Sequence, residues 1–375
     1  MNVQIKEVIS KSDLMKFIRF PYTLYINNPY WVPALDIDEK VSLSRTKNPA
    51  FEFCEAKYWL AYKDDKIVGR IAGIYNKRAN ECWKEEKVRF SWFDFINDKD
   101  VAETLLKTVE NWGKGFGCNE IHGPLGFTDM DREGMLVYGF DQLATYATNY
   151  NHEYYPKLLE QLGFNKDVDW IQFEYDIPKE QPEKLVRMAG LIAKRYNLHT
   201  LKATKTKQLL KYAHQIFEVL NQSYAPLYGF YPLSDRQIEL FTKQYIGYVK
   251  PEFVSVVLNE KDEVVAFGIT MPSLSKGVQK ANGRILPFGW WHILRSLNKA
   301  EILDMYLIAV RPDMQNKGLN AMIFEEIMAS CIKKGVKTNV INPVLEINKK
   351  MQLLWEDYQS REPHIRRRCF TKKID

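Results

Sequence analysis

The 375-residue sequence has no window approaching 18 apolar residues, so no transmembrane helix is expected. Its first residues, Met1-Asn-Val-Gln-Ile-Lys-Glu7, lead into mixed polar residues and not into an apolar stretch, which excludes a secretory signal. The five cysteines, Cys54, Cys82, Cys118, Cys331 and Cys369, are odd in number and widely spaced, with no CxxC pair. Neither a zinc site nor a disulfide framework follows from them, and a reducing cytoplasm is the expected location. Low-complexity tracts are missing, and 46% hydrophobic with 27% charged residues exclude disorder. The net charge of +6 is dispersed, which argues against a nucleic-acid partner, because such proteins concentrate charge on one face. The one dense run, Arg366-Arg367-Arg368 followed by Lys372 and Lys373, reads as a solvated basic surface. Attraction to an anionic ligand or membrane surface stays open.

What is present is an alternation of strands and helices, repeated. Prolines and charges at Ile177-Pro178-Lys179-Glu180-Gln181-Pro182 divide the chain into 1–178 and 183–375. In the second part, Val254–Leu258 and Val264–Met271 flank a polar turn, a hairpin signal. Ile302–Val310 is a strongly apolar strand, and a helix follows with Leu319, Met322, Ile323, Ile327 and Cys331 on one face. Gly335 stops that helix. Val336–Glu346 reads as a further strand, interrupted at Pro343, and a last strand is expected near Cys369–Lys373. The first part follows the same recipe: a hairpin at 58–75, a strand at Val88–Phe95, helices at Ala102–Gly113 and Tyr154–Leu162, and a strand at Trp170–Asp176. One recipe used twice points to internal duplication.

The informative stretch is the connection from Val310 to Ala321. Pro312 ends the strand, and a short polar loop leads directly into the helix. Free N–H groups and the positive end of a helix dipole make such a loop an anion site, and Gly318 permits close approach of a ligand to backbone. Gln315-Asn316-Lys317-Gly318-Leu319-Asn320, with Ala321 next and Val310-Arg311-Pro312 before it, resembles the pyrophosphate loop of the GNAT acyltransferases. Asn320 departs from the small residue usual there. Asn348-Lys-Lys-Met351-Gln-Leu-Leu354-Trp355 resembles the same family's late strand-to-helix segment, and Tyr154 to Phe164 looks like its counterpart in the first part. Across nearly the full length the chain also resembles a bacterial subfamily of large GNAT-like proteins, the YghO-like group. That likeness rests on Phe20-Pro21-Tyr22, Trp31-Val32-Pro33, Gly69-Arg70-Ile71-Ala72, Gly123-Pro124-Leu125, Gly139-Phe140-Asp141 and Pro287-Phe288-Gly289-Trp290.

The resemblance implies an α/β fold with a mixed sheet, built from two GNAT-like domains in tandem. It implies acetyl-CoA or a longer acyl-CoA as co-substrate, held by Ile308, Val310, Gln315, Asn316, Lys317, Gly318, Leu319, Asn320, Ala321 and Asn348. Asp304 and Glu346 stand as alternative general bases beside plain structural roles for both. At the position of the family's usual tyrosine acid stands Trp355, so either Tyr358, three residues on, substitutes or water serves as the acid. Tyr224, Tyr228, Tyr231 and Trp290 are expected to wall the acceptor. The first part has no glycine-rich loop but Ile96-Asn97-Asp98-Lys99-Asp100, whose acids would repel a pyrophosphate. It reads as a non-catalytic half that shapes the acceptor pocket, with the Gly123–Asp141 segment supplying side chains. The apolar run Ile285–Leu297, with Lys280, Arg284, Arg295 and Lys299 around it, is either a peripheral membrane contact or a helix sealing the two parts.

The leading reading is therefore an acyl-CoA-dependent N-acyltransferase acting on a small-molecule or lipid primary amine. A long-chain, sphingoid-type amine, as in bacterial ceramide synthesis, is one alternative. A non-catalytic CoA-binding or aminoacyl-tRNA-dependent protein is the other.

Overall fold

The computed structural model describes residues 2–356 and 365–374. Its strands are β1 (Gln4–Glu7), β2 (Cys54–Lys63), β3 (Lys66–Asn76), β4 (Lys87–Phe95), β5 (Glu120–Gly123), β6 (Met135–Tyr138), β7 (Asn165–Asp176), β8 (His199–Thr200), β9 (Val254–Leu258), β10 (Val264–Pro272), β11 (Ile302–Val310), β12 (Thr338–Leu345) and β13 (Ile365–Lys373). All belong to one sheet, ordered β1-β2-β3-β4-β5-β13-β7-β12-β11-β10-β9-β8, with β6 paired to β13 off this path. The β2–β3 hairpin turns at Asp64 and Asp65, both in the left-handed region that a tight hairpin requires. The β9–β10 turn closes through Asn259 N–H to the Glu263 carbonyl. Among the described residues no helix is long and apolar enough to cross a membrane.

Two parallel pairs interrupt the antiparallel sheet: β4 with β5 and β11 with β12. Parallel neighbours need a crossover, and each is made by a helix, Lys99–Lys114 and Asn320–Lys334. Both helices are amphipathic. Val101, Leu105, Leu106 and Val109 bury against one half of the sheet, and Ile323, Ile327 and Cys331 against the other. The strands and crossover helices expected from periodicity are present. The apolar stretch Leu209–Leu220 is carried by two helices, Thr206–Leu210 and Ala213–Tyr224.

The halves exchange their last strands. β7 follows the first half in sequence but pairs with β12 of the second, Asn339 lying opposite Tyr175. β13 ends the second half but pairs with β5 of the first, Phe370 lying opposite Gly123. β7 and β13 then pair with each other and join the halves into one sheet.

This placement corrects the reading of Arg366-Arg367-Arg368 as a solvated surface. The run lies on β13 in the middle of the sheet, and its side chains alternate across it. Arg367 is buried, donating to the Asn149 carbonyl (2.9 Å), Gln172 Oε1 (2.8 Å) and Thr148 Oγ1 (2.9 Å). Arg366 and Arg368 converge instead on the fully buried Asp169 of β7, at 3.2 and 2.8 Å, joined by Lys166 at 3.2 Å. Burial alone would raise the Asp169 carboxyl, but hydrogen bonds and charge from Arg368 and Lys166 outweigh it and hold it below the usual carboxylate range.

A depressed carboxylate adds stability above its unfolded pKa of about 3.9 and loses it as pH falls through the lower folded value. Asp169→Asn removes the buried carboxylate that three cations share and leaves them only the more peripheral Glu346 and Glu160. It should cost roughly 3 kcal/mol near neutrality, read by urea denaturation, with the deficit shrinking below about pH 4.

Candidate functional site

β11 and β12 pair only from Ile302–Met305 to Thr338–Ile341, yet β11 runs on to Val310 and β12 to Leu345. Past Met305 the two strands diverge. Two local irregularities accompany the divergence. Against β10, the register skips Tyr306, which makes a β-bulge. Against β7, the register of β12 shifts between Ile341 and Val344, where Pro343 cannot donate to a ladder. The wedge opens into a cavity of about 920 Å³. That is at the upper end of small-molecule sites.

One end of the cavity is formed by the loop Gln315–Asn320. Gln315, Asn316, Gly318, Leu319 and Asn320 line it. Gly318 has φ +82°, and a Cβ there would approach Ile192 Cδ1 to 2.9 Å, so conformation and space both favour glycine. The helix Asn320–Lys334 opens at Leu319 with no side-chain cap. Ala321 and Met322 N–H already bond the Gly318 and Leu319 carbonyls (2.9 and 3.0 Å), so the donors left for a ligand at the positive end of the dipole are the N–H groups of the preceding loop up to Asn320. The matching helix in the first half is the opposite case. Asp98 caps Lys99–Lys114 by accepting from Asp100 and Val101 N–H, and Lys63 pairs with it at 2.5 Å. A carboxylate already occupies the anion position.

The middle of the cavity runs along the open edge of β11. The Ile308 carbonyl accepts from Tyr224 Oη (3.2 Å) and the Val310 carbonyl from Ser223 Oγ (2.9 Å). The N–H groups of Ile308 and Val310 lie on the same edge, since N–H and C=O of one residue share a side of a strand. Several buried polar atoms on the wall have no partner, among them Tyr306 Oη and Asn342 Oδ1. One is a donor and the other an acceptor, and such atoms cost free energy unless a ligand or water satisfies them. Burial and the nearby Asp304 carboxyl raise Tyr306 well above the ordinary phenol value, so it stays protonated.

The far wall comes from the first half. After Gly123 the chain turns through a loop in which Thr128 N–H donates to Asp131 Oδ2 (3.0 Å) and Met130 N–H to Thr128 Oγ1 (3.1 Å). Arg89 ties this loop to the second half, donating to the carbonyls of Gly126 (3.0 Å) and Gly229 (3.3 Å). Asp129, Asp131 and Glu133 face the cavity. All three are half-buried. Burial raises Asp129, with Asp131 adding to the rise and Arg89 opposing it. Burial and the Asp129 charge hold Glu133 well above the usual carboxylate range. Asp131 is pushed up to about 6 by burial, tempered by backbone N–H donors. Carboxylates kept from ionising freely are suited to proton transfer near neutrality.

The residues expected from the sequence distribute unevenly. Ile308, Val310, Gln315, Asn316, Gly318, Leu319, Asn320, Asn348, Tyr224 and Tyr228 line the cavity together. Lys317 does not; its ammonium sits over the Tyr196 ring, and Ala321 is buried under the helix. Tyr231 is buried with its hydroxyl on the Phe127 carbonyl (2.6 Å), and Trp290 lies exposed on the outer surface. Asp304 is fully buried behind the cavity wall. Neither of its oxygens makes a well-formed hydrogen bond, Ser273 exerts only a small lowering influence, and burial raises it to about 7. Glu346 is held at the seam by Lys166 (2.5 Å) and accepts from Asp169 N–H (3.2 Å). Tyr358 falls outside the described residues. Asp129, Glu133, Tyr306 and Asn342 were not singled out by sequence. The one signal for the first two was the Gly123–Asp141 segment. At the seam, His122, Asp167 and Cys369 bring three potential ligand atoms within 4.8 Å, but the Tyr228 hydroxyl already engages Asp167 (2.5 Å) and Cys369 (3.6 Å).

No family model matches the chain. It is 25% identical to Protein YghO of Escherichia coli (strain K12), over 99% of this chain and 95% of that protein. It is 23% identical to the bacterial ceramide synthase of Caulobacter vibrioides, over 95% and 94%. Among solved structures, a tandem GNAT protein from the clavulanic acid biosynthesis pathway superposes with a TM-score of 0.59 at 10% identity, over 100% of this chain and 99% of the other. The glucosamine N-acetyltransferase region of a fungal multi-domain β-N-acetylglucosaminidase gives 0.55 at 10% identity, over 99% and 38%.

Carboxylates with raised pKa values withdraw stability as pH climbs from about 4 toward the folded value, because the unfolded chain ionises first. Glu133→Gln should therefore stabilise the protein by on the order of 1 kcal/mol at pH 8 and leave it unchanged at pH 4. Thermal melting across that range checks it.

Proposed function

The chain has the tandem GNAT fold, and on that premise we propose that it transfers an acyl group from acyl-CoA to a primary amine. The observation that carries this reading is the uncapped helix N-terminus at Leu319–Asn320, opening on a cavity that continues along an unpaired strand edge. The donors fit a pyrophosphate: loop N–H groups, the Gly318 approach and the helix dipole. Acyl-CoA, when bound, supplies the thioester carbonyl that an amine converts to an amide.

The chain's own residues account for the remainder. The N–H groups of Ile308 and Val310 lie on the open strand edge, where a developing oxyanion would need donors. Asp129 and Glu133 stand on the opposite wall and take up the proton that an ammonium must lose before attack. Their mutual repulsion keeps one of them protonated while the other ionises. The Tyr306 hydroxyl and Asn342 Oδ1 offer one donor and one acceptor to a polar group of the acceptor. Leu227, Phe217, Ile269 and Met351 make other parts of the wall apolar. With the full-length likeness to a bacterial ceramide synthase, this supports a long-chain amine, a long acyl chain or both.

Asn320→Asp separates helix stability from anion binding. A carboxylate at the first helical position favours the dipole, so melting should hold or rise slightly. It should repel a pyrophosphate and weaken CoA binding by about tenfold or more, measured calorimetrically with CoA, acetyl-CoA and palmitoyl-CoA. Absence of binding to any of the three by folded wild-type protein sinks the acyltransferase reading.

Asp129→Asn should lower turnover by roughly a hundredfold, followed as thiol release from acyl-CoA over an amine panel. The wild-type rate should fall as pH drops below neutrality, because the raised carboxylates must lose a proton to act.

A further inference from the structure

We propose that the segment from Lys276 to Lys299 is an interfacial platform that seats the protein on an anionic lipid bilayer. The segment contains Lys276, Lys280, Arg284, Arg295 and Lys299 and no acidic residue. All five cations are exposed. Between them lies a concentration of exposed apolar side chains: Leu286 at 75%, Phe288 at 74%, Trp290 at 46%, Trp291 at 49% and Leu294 at 46%. Surface hydrophobics are ordinarily scattered, and a contiguous aromatic patch rimmed by charge of one sign marks an interaction surface.

The helix Gly289–Asn298 has two apolar faces. Ile293 and Leu297, one turn apart, pack inward with Val32, Leu35 and Tyr146 of the first half and Leu274 and Val278 of the second. Trp290, Trp291 and Leu294 point away from that core. The inner face closes the contact between the halves, and the outer face is unpartnered. The inner face is also why the outer one is firmly held. Gly277 allows close packing of this helix, since a Cβ there would meet Ser296 Oγ at 2.5 Å and the His292 carbonyl at 2.9 Å. Gln279 Nε2 donates to the Pro29 and Trp31 carbonyls of the first half (2.9 and 3.0 Å).

Charge complementarity commits the occupant. A protein partner with an acidic rim would match the cations, but two adjacent tryptophans with phenylalanine and leucine suit the headgroup–acyl boundary. Cations at its margin suit anionic lipid. With no described helix able to cross a membrane, contact is peripheral. The platform neighbours the cavity. Tyr245, Ile246 and Val249 line it, while Tyr248 packs with Ile293 and Leu297, and Lys250 Nζ reaches Asn298 Oδ1 at 3.4 Å. The inference does not depend on the acyl-transfer reading.

The test uses full-length protein, sucrose-loaded vesicles and no substrate. Vesicles of phosphatidylcholine alone are compared with a phosphatidylcholine–phosphatidylglycerol mixture, by sedimentation and tryptophan emission. Wild type should sediment with the mixed vesicles, with a blue shift, and release on adding salt. Phe288→Ser/Trp290→Ser and Arg284→Glu/Arg295→Glu should each bind about tenfold more weakly or worse, with melting unchanged because all four side chains are exposed. Wild type remaining in the supernatant, or both variants binding as wild type does, overturns the proposal. So does a dimer in solution that the variants dissociate while vesicle binding is absent, which assigns the patch to a second copy of the chain.

Discussion

The buried ion cluster at the crossing of β7 and β13 is the constraint on which the rest of the molecule depends. Asp169 gathers Lys166, Arg366 and Arg368 where each half of the chain hands its last strand to the other. Arg367, on the opposite face of β13, is anchored in the first half. Buried charge is costly unless it is paired, so this strand is specified for one register between β5 and β7. Without the exchange, the sheet would end at β5 on one side and at β12 on the other. With it, the two halves share a core.

That exchange decides what reaches the cavity. The wedge between β11 and β12 belongs to the second half, but β7 closes its back and the loop after β5 supplies its acidic wall. Arg89 holds this loop by bonding a carbonyl from each half. The two helices that make the parallel crossovers show how one recipe diverged. At one, Asp98 satisfies the helix start internally. At the other, Leu319 leaves it open. A side-chain carboxylate fills the anion position at the first start, and none does at the second.

The cavity is also where the fold carries unfavourable features. Asp129 and Glu133 are kept close together in surroundings that resist their ionisation. Tyr306 Oη and Asn342 Oδ1 are buried without partners on the same walls. Unpartnered polar atoms occur elsewhere in the core as well, but at this opening they coincide with carboxylates that resist ionisation, and that combination marks a place built for a ligand.

Much was legible in the sequence by itself. Period-two and period-3.6 patterns marked Ile302–Val310 and its following helix. Pro312 and Gly318 marked the loop between them, and the repeated element order marked the two halves. These are local signals, carried by neighbouring residues. The tertiary structure alone decided which carboxylates meet the cavity, because Asp129 and Glu133 come from a strand connection more than 180 residues from the loop they face. It also decided that three adjacent arginines are buried or ion-paired and not solvated, since only strand pairing reveals that β13 lies inside the sheet. Residue spacing records the path of one chain segment. It does not record which segment, from which half, is laid beside it.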